Sequence, residues 1–224
     1  MLPIRKIGSP NSDFWAGLID GVYAIAMTLV ALELPGLIGK LIEEFYKHSN
    51  DLLFISILIG FEIFTYALIF LVLYEIWSFH KASLVTSGMK IKGQNLINSL
   101  ILVISCVIPG QIIFNLDQKT DLVINKLGEN ISNNKPIIQI LIDSPSGEIA
   151  FFTLCSLSFL LIYLYNKSVF SINHDKNVGY LLKSSLRRSV IFICFIVFSL
   201  VLGRFIPAIL ITSLYVGYVF YERN

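Results

Sequence analysis

Two carboxylates stand inside one apolar stretch: in LIDGVYAIAMTLVALEL, residues 18–34, Asp20 lies near one end and Glu33 near the other. An ionisable side chain at membrane depth is costly against lipid, so Asp20 is expected to face protein and to meet a donor. The Trp77 indole, His80 or a basic residue of the leader can serve, and such a group suits an inter-helix clamp or a proton relay. Glu33 falls at a helix end, where it is either simply solvated or, in several copies, concentrates cations at a mouth. Glu62 and Glu75 occupy a second apolar stretch. Each either pairs with a polar group of a neighbouring helix or marks a proton or cation path.

No HExxH, GxSxG or paired-aspartate motif occurs, which argues against an enzyme. His48 and His174 lie in polar stretches without metal-like partners, so no metal or cofactor is expected. The three cysteines, Cys106, Cys155 and Cys194, sit in apolar runs without CxxC spacing and read as small buried hydrophobes. With 55% hydrophobic and 14% charged residues and a mean hydropathy of +0.75, the solvent of this chain is mostly lipid. The net charge of +2 and the scattered basic residues give no nucleic-acid footprint.

The elements that must position these side chains are membrane helices. A polar leader, residues 1–12, carries Arg5 and Lys6, and the apolar run after it is too long for a cleaved signal. Hydropathy predicts an all-α membrane protein, one domain over residues 1–224, with six spans at about 14–35, 52–79, 96–116, 148–165, 189–202 and 207–221. Pro35-Gly36 is expected to end the first span, followed by a short amphipathic stretch over 37–51. Residues 81–95 and 166–188 read as basic linkers and 117–147 as an exposed loop. Pro109-Gly110 predicts a kink or break, Tyr163 and Tyr165 an interfacial pair, and Arg204 a snorkelling turn residue. Lys and Arg concentrate in the leader, the two basic linkers and the C-terminal end, so both termini are expected to be cytoplasmic.

Along the first span, Ile25, Thr28, Leu29 and Leu32 fall at i, i+3, i+4 and i+7 and form one stripe. Asp20 points about 140° away from Ile25 at roughly 100° per residue. Gly17, Gly21, Ala24 and Ala31 thin a further side and permit close helix contact. Taken alone, such a stripe is more often packing than a pore lining.

The segment from Asp20 to Leu34 resembles the first helix of the transmembrane protein 175 family of potassium channels, in its short prokaryotic six-helix form. Independently, Tyr66, Phe70, Trp77 and His80 keep the Y-x3-F-x6-W-x2-H spacing of that family's second helix, and Asn98 with Ile108-Pro109 resembles its third. The resemblance implies a homotetramer in a lipid bilayer, permeable to potassium ions, in a prokaryotic plasma membrane, with the first helices around the ion path. It further implies a constriction at Ile25 with Thr28 beside it, Leu29 and Leu32 lining further turns, Glu33 at the mouth, and a polar network of Asp20, Trp77 and His80. The chain departs from the family motif: Phe14 stands where an arginine belongs, and Leu18-Ile19 replaces Phe-Ser. Val216-Gly217-Tyr218 resembles a carbonyl filter but lies in a continuous apolar span, and the same tripeptide recurs at Val178-Gly179-Tyr180. A secondary transporter or proton-coupled carrier is the alternative, which broken helices and internal repeats would favour.

Overall fold

A backbone crossing lipid must satisfy its own N–H and C=O groups, and this chain does so by helix. The structure, a computed structural model, describes residues 12–48, 52–87, 93–111, 146–202 and 208–223. Within them are α1 (Ser12–His48), α2 (Leu52–Ser87), α3 (Gln94–Gln111), α4 (Ser146–Asn173), α5 (Lys176–Leu202) and α6 (Ala208–Arg223), and no strand. The first five are long and apolar enough to cross a membrane. The sixth has 16 residues, about 24 Å of helix, short of the roughly 30 Å hydrocarbon core.

Several boundaries differ from the hydropathy reading. Helix α1 continues through Pro35 to His48. Proline removes one backbone donor, yet a chain in lipid gains nothing by unravelling there, so the helix carries on. Helix α2 runs past His80 and Lys81 to Ser87 because His80, Ser83, Leu84 and Ser87 are buried among neighbouring helices. Gly93, at a φ of 96° that favours glycine, opens α3, its carbonyl accepting from Leu96 N and Ile97 N at 3.1 Å. Helix α3 is unbroken through Pro109-Gly110 to Gln111. Of the expected loop at 117–147, residues 117–145 lie outside the described residues, as do Arg204 and the Glu62 side chain, and Ser146 and Gly147 already belong to α4.

The expected linker 166–188 is almost wholly helical. Val169, Val178 and Leu181 bury themselves beneath its polar residues, and only His174 and Asp175 separate α4 from α5. His174 takes a φ of 47° as its N–H closes α4 on the Phe170 carbonyl at 3.1 Å. The Asp175 carboxylate then caps α5 through Asn177 N at 2.8 Å. Tyr165, expected at the membrane surface, is instead buried, with its hydroxyl 2.6 Å from Ser87 Oγ.

Helix α4 packs along α5 through aromatic contacts, Phe159 stacking on Phe192 at 5.9 Å with 13° between rings and Tyr215 of α6 closing on Phe192 at 4.7 Å. Helix α2 is the shared neighbour, touching α1 on one side and α4, α5 and α6 on the other. Glu75 of α2 resolves here. Its carboxylate accepts from Arg188 Nε of α5 at 2.7 Å and from the Tyr215 hydroxyl at 2.5 Å. Arg188 also meets Ser184, lies 4.2 Å from the Phe79 ring centroid and pairs with Glu222 of α6 at 2.9 Å. Glu75 and Arg188 are 2% and 1% exposed, so either charge left alone would be stranded away from water.

Replacing Arg188 by Met is therefore expected to cost about 3–5 kcal/mol of stability. The companion double variant Glu75→Leu/Arg188→Met should recover part of that loss. Unfolding of the detergent-purified protein by denaturant checks both.

Candidate functional site

The two faces of α1 have opposite environments. Trp15, Ile19, Tyr23, Ala26, Val30 and Leu37, spaced by three, four or seven residues, are buried in the subunit core. Three polar ties lie along this side. Trp15 Nε1 donates to Asn95 Oδ1 of α3 at 3.0 Å, and Ser105 Oγ of α3 donates to the Tyr23 hydroxyl at 2.8 Å. Between them, Asp20 reaches α2.

Asp20 holds two donors at once. Trp77 Nε1 lies 2.9 Å from Oδ1, and Lys81 Nζ lies 3.0 Å from Oδ1 and 2.8 Å from Oδ2. Trp77 and Lys81 are four residues apart on α2 and so share a face, and the lysine ammonium sits 5.2 Å from the Trp77 ring centroid. His80 turns to another partner: Nε2 meets Asn98 Oδ1 of α3 at 3.2 Å, and its ring stands edge-on to Tyr23 at 6.2 Å. The expected network of Asp20, Trp77 and His80 thus divides into an Asp20–Trp77–Lys81 clamp between α1 and α2 and a His80–Asn98 tie between α2 and α3.

The opposite face of α1 is exposed among the described residues. Ile25 is 64% and Leu32 69% exposed, Leu29 and Thr28 are exposed beside them, and Phe14 and Leu18 extend the face toward the N-terminal end. Thr28 Oγ1 donates to the Ala24 carbonyl at 2.7 Å, which spends its proton on the helix and leaves the oxygen lone pairs as acceptors. Gly17, Gly21, Ala24 and Ala31 are exposed on the adjoining arc, and a Cβ added at Gly17 or Gly21 would meet nothing within 4 Å. Glu33 is exposed on the following turn.

Two residues of consequence escaped the sequence reading. Lys81 supplies the cation beside Asp20, and its signal was present in the four-residue step from Trp77. Arg188 reads as a linker residue, and no local pattern joins it to Glu75, 113 positions away. The cysteines need correction: Cys155 is buried, but Cys106 and Cys194 are exposed on apolar faces and all three are free thiols. Both Val-Gly-Tyr tripeptides are helical. No group of three or more metal-ligating His, Cys, Asp or Glu residues occurs among the described residues.

Residues 16–109, which span the α1 stripe, the clamp and most of α3, match the family model described as the endosomal/lysosomal potassium channel TMEM175. The match is consistent with a member of that family, which is a family of potassium channels and not of enzymes. No curated protein and no solved structure matches the chain.

The clamp side chains are 36% (Lys81) and 44% (Asp20) exposed, which limits the energy of their pair. A double-mutant cycle over Asp20→Asn and Lys81→Met should give a coupling of about 1 kcal/mol or less, weakening as salt is raised. Denaturant unfolding across the four proteins measures it.

Proposed function

Taking the match over residues 16–109 as membership of the TMEM175 potassium channel family, we propose that this chain forms a potassium-permeable pore with α1 at its centre. Four subunits surround the path in the plasma membrane, and both termini are cytoplasmic. The observation that carries the reading is the apolar stripe of Ile25, Leu29 and Leu32, exposed among the described residues on a helix whose other face is buried in the subunit core. Gly17, Gly21, Ala24 and Ala31 leave room beside it for the α1 of a second copy.

The mechanism follows from hydration. A narrow ring of Ile25 side chains strips water from a passing ion, and potassium, larger and more weakly hydrated than sodium, yields its water at lower cost. One turn on, the Thr28 oxygens face the path as acceptors and replace part of the lost shell. Glu33 in four copies raises the local cation concentration at the outer mouth. Asp20, Trp77 and Lys81 do not touch the ion. They fix the rotation of α1 against α2, and with it the direction in which the stripe points.

Bi-ionic reversal potentials on reconstituted protein test the neck. Ile25→Asn should move the potassium-over-sodium ratio toward unity, a tenfold fall corresponding to about 1.4 kcal/mol of differential dehydration. Thr28→Val should lower potassium conductance where Thr28→Ser retains it. An unchanged ratio in Ile25→Asn, or a complex mass of two copies, would overturn the reading.

A further inference from the structure

Helix α5 is two-sided along its whole length. Val178, Leu181, Ser185, Arg188 and Phe192 mark its buried side. Lys176, Tyr180, Lys183 and Arg187, at i, i+4, i+7 and i+11, occupy the opposite exposed side. That exposed line then continues without a change of angle through Val190, Cys194, Val197 and Val201, all exposed. One stripe is thus basic and aromatic over its first three turns and wholly apolar afterwards.

A stripe that changes character along one face, exposed throughout and met from α6 at Arg187 by Glu222 and the Tyr218 ring, has the form of a surface crossing from headgroups into lipid tails. The apolar half from Arg187 to Val201 covers about 21 Å, as a segment immersed in hydrocarbon should. Lys183 then stands about 6 Å beyond Arg187, at headgroup depth, and Lys176 about 16 Å beyond it, where it acts through the surface potential. The carboxylates nearby are committed elsewhere. Asp175 caps α5, and Glu222 is taken by Arg187 and Arg188. Neither Lys176 nor Lys183 has an acidic partner among the described residues. On the adjoining helix, Lys167 lies 5.9 Å from the Tyr163 ring centroid, adding a further positive charge and interfacial aromatic.

We propose that this face of α5 binds the phosphate headgroups of anionic phospholipids, with Lys183 as the principal contact, Tyr180 packing beside the glycerol region and Lys176 contributing at longer range. The outward position of the face rests on the reading that α1 surrounds the central path. Helix α2 stands between α1 and α5, so a central α1 leaves α5 at the rim.

Native mass spectrometry of the detergent-purified protein, titrated with phosphatidylglycerol or phosphatidylcholine, tests the site without using ion flux. The wild-type protein should hold phosphatidylglycerol more tightly. Lys183→Gln should weaken that binding about five-fold, with a smaller loss for Lys176→Gln and no change for phosphatidylcholine. Equal binding of the two lipids, or an undiminished preference in the Lys176→Gln/Lys183→Gln double variant, would overturn the proposal. So would an amine-reactive cross-link between Lys183 residues of two copies, which would make the face an interface between subunits. Potassium flux from the same preparation reads the channel function separately, so that the two can fail independently.

Discussion

An acid held within an apolar helix must be answered by a donor on another helix, and α2 stands at the centre of both answers in this protein. On one side it brings Trp77 and Lys81 to Asp20 of α1. On the other it offers Glu75 to Arg188 and Tyr215. Because α2 also touches α4, α5 and α6, its rotation is fixed from both sides at once. The two answers differ in strength. The Glu75–Arg188 pair is buried and intolerant of losing either partner, whereas the Asp20–Lys81 pair is partly wet. The half carrying α4 to α6 is thereby anchored rigidly, and the half carrying α1 is held by a clamp that salt and solvent can reach.

Lys81 also bears on position 14, where the family motif that the sequence resembles has an arginine. Phe14 stands at that position and is exposed on the outer face of α1, where it cannot reach Asp20 across the helix. A cation from α2 compensates, coming from the partner helix instead of the preceding turns of the same one. Electrostatic balance around Asp20 is thus met from α2, while the exposed N-terminal turn of α1 carries an aromatic ring.

Much of the fold was legible because lipid imposes a simple grammar: apolar runs of sufficient length are helices, and the α1 stripe follows from its spacing alone. The differences at the polar interruptions share one cause. Pro35, the Lys81 region and residues 166–188 read as interruptions because prolines and charges end helices that water can solvate. Inside a bundle polar and charged side chains are absorbed by neighbours, as Arg188 is by Glu75 and Tyr165 is by Ser87. Polarity marked these residues correctly as unusual but could not say whether water or protein met them. That depends on contacts between positions far apart in the chain, which a linear pattern does not contain.

The two-residue turn between α4 and α5 bears on how the molecule comes together. Closing so short a connection costs little chain entropy, and the Phe159–Phe192 stack lies between neighbouring helices, so this hairpin can form early. Formed alone, it carries Arg188 with only Ser184 and no counter-charge from its own two helices. The hairpin therefore carries an unanswered charge until α2 brings Glu75 and α6 brings Glu222, and an assembly that omits both is disfavoured by a whole buried charge. The same arginine that stabilises the finished bundle acts during biogenesis as a checkpoint on its completeness.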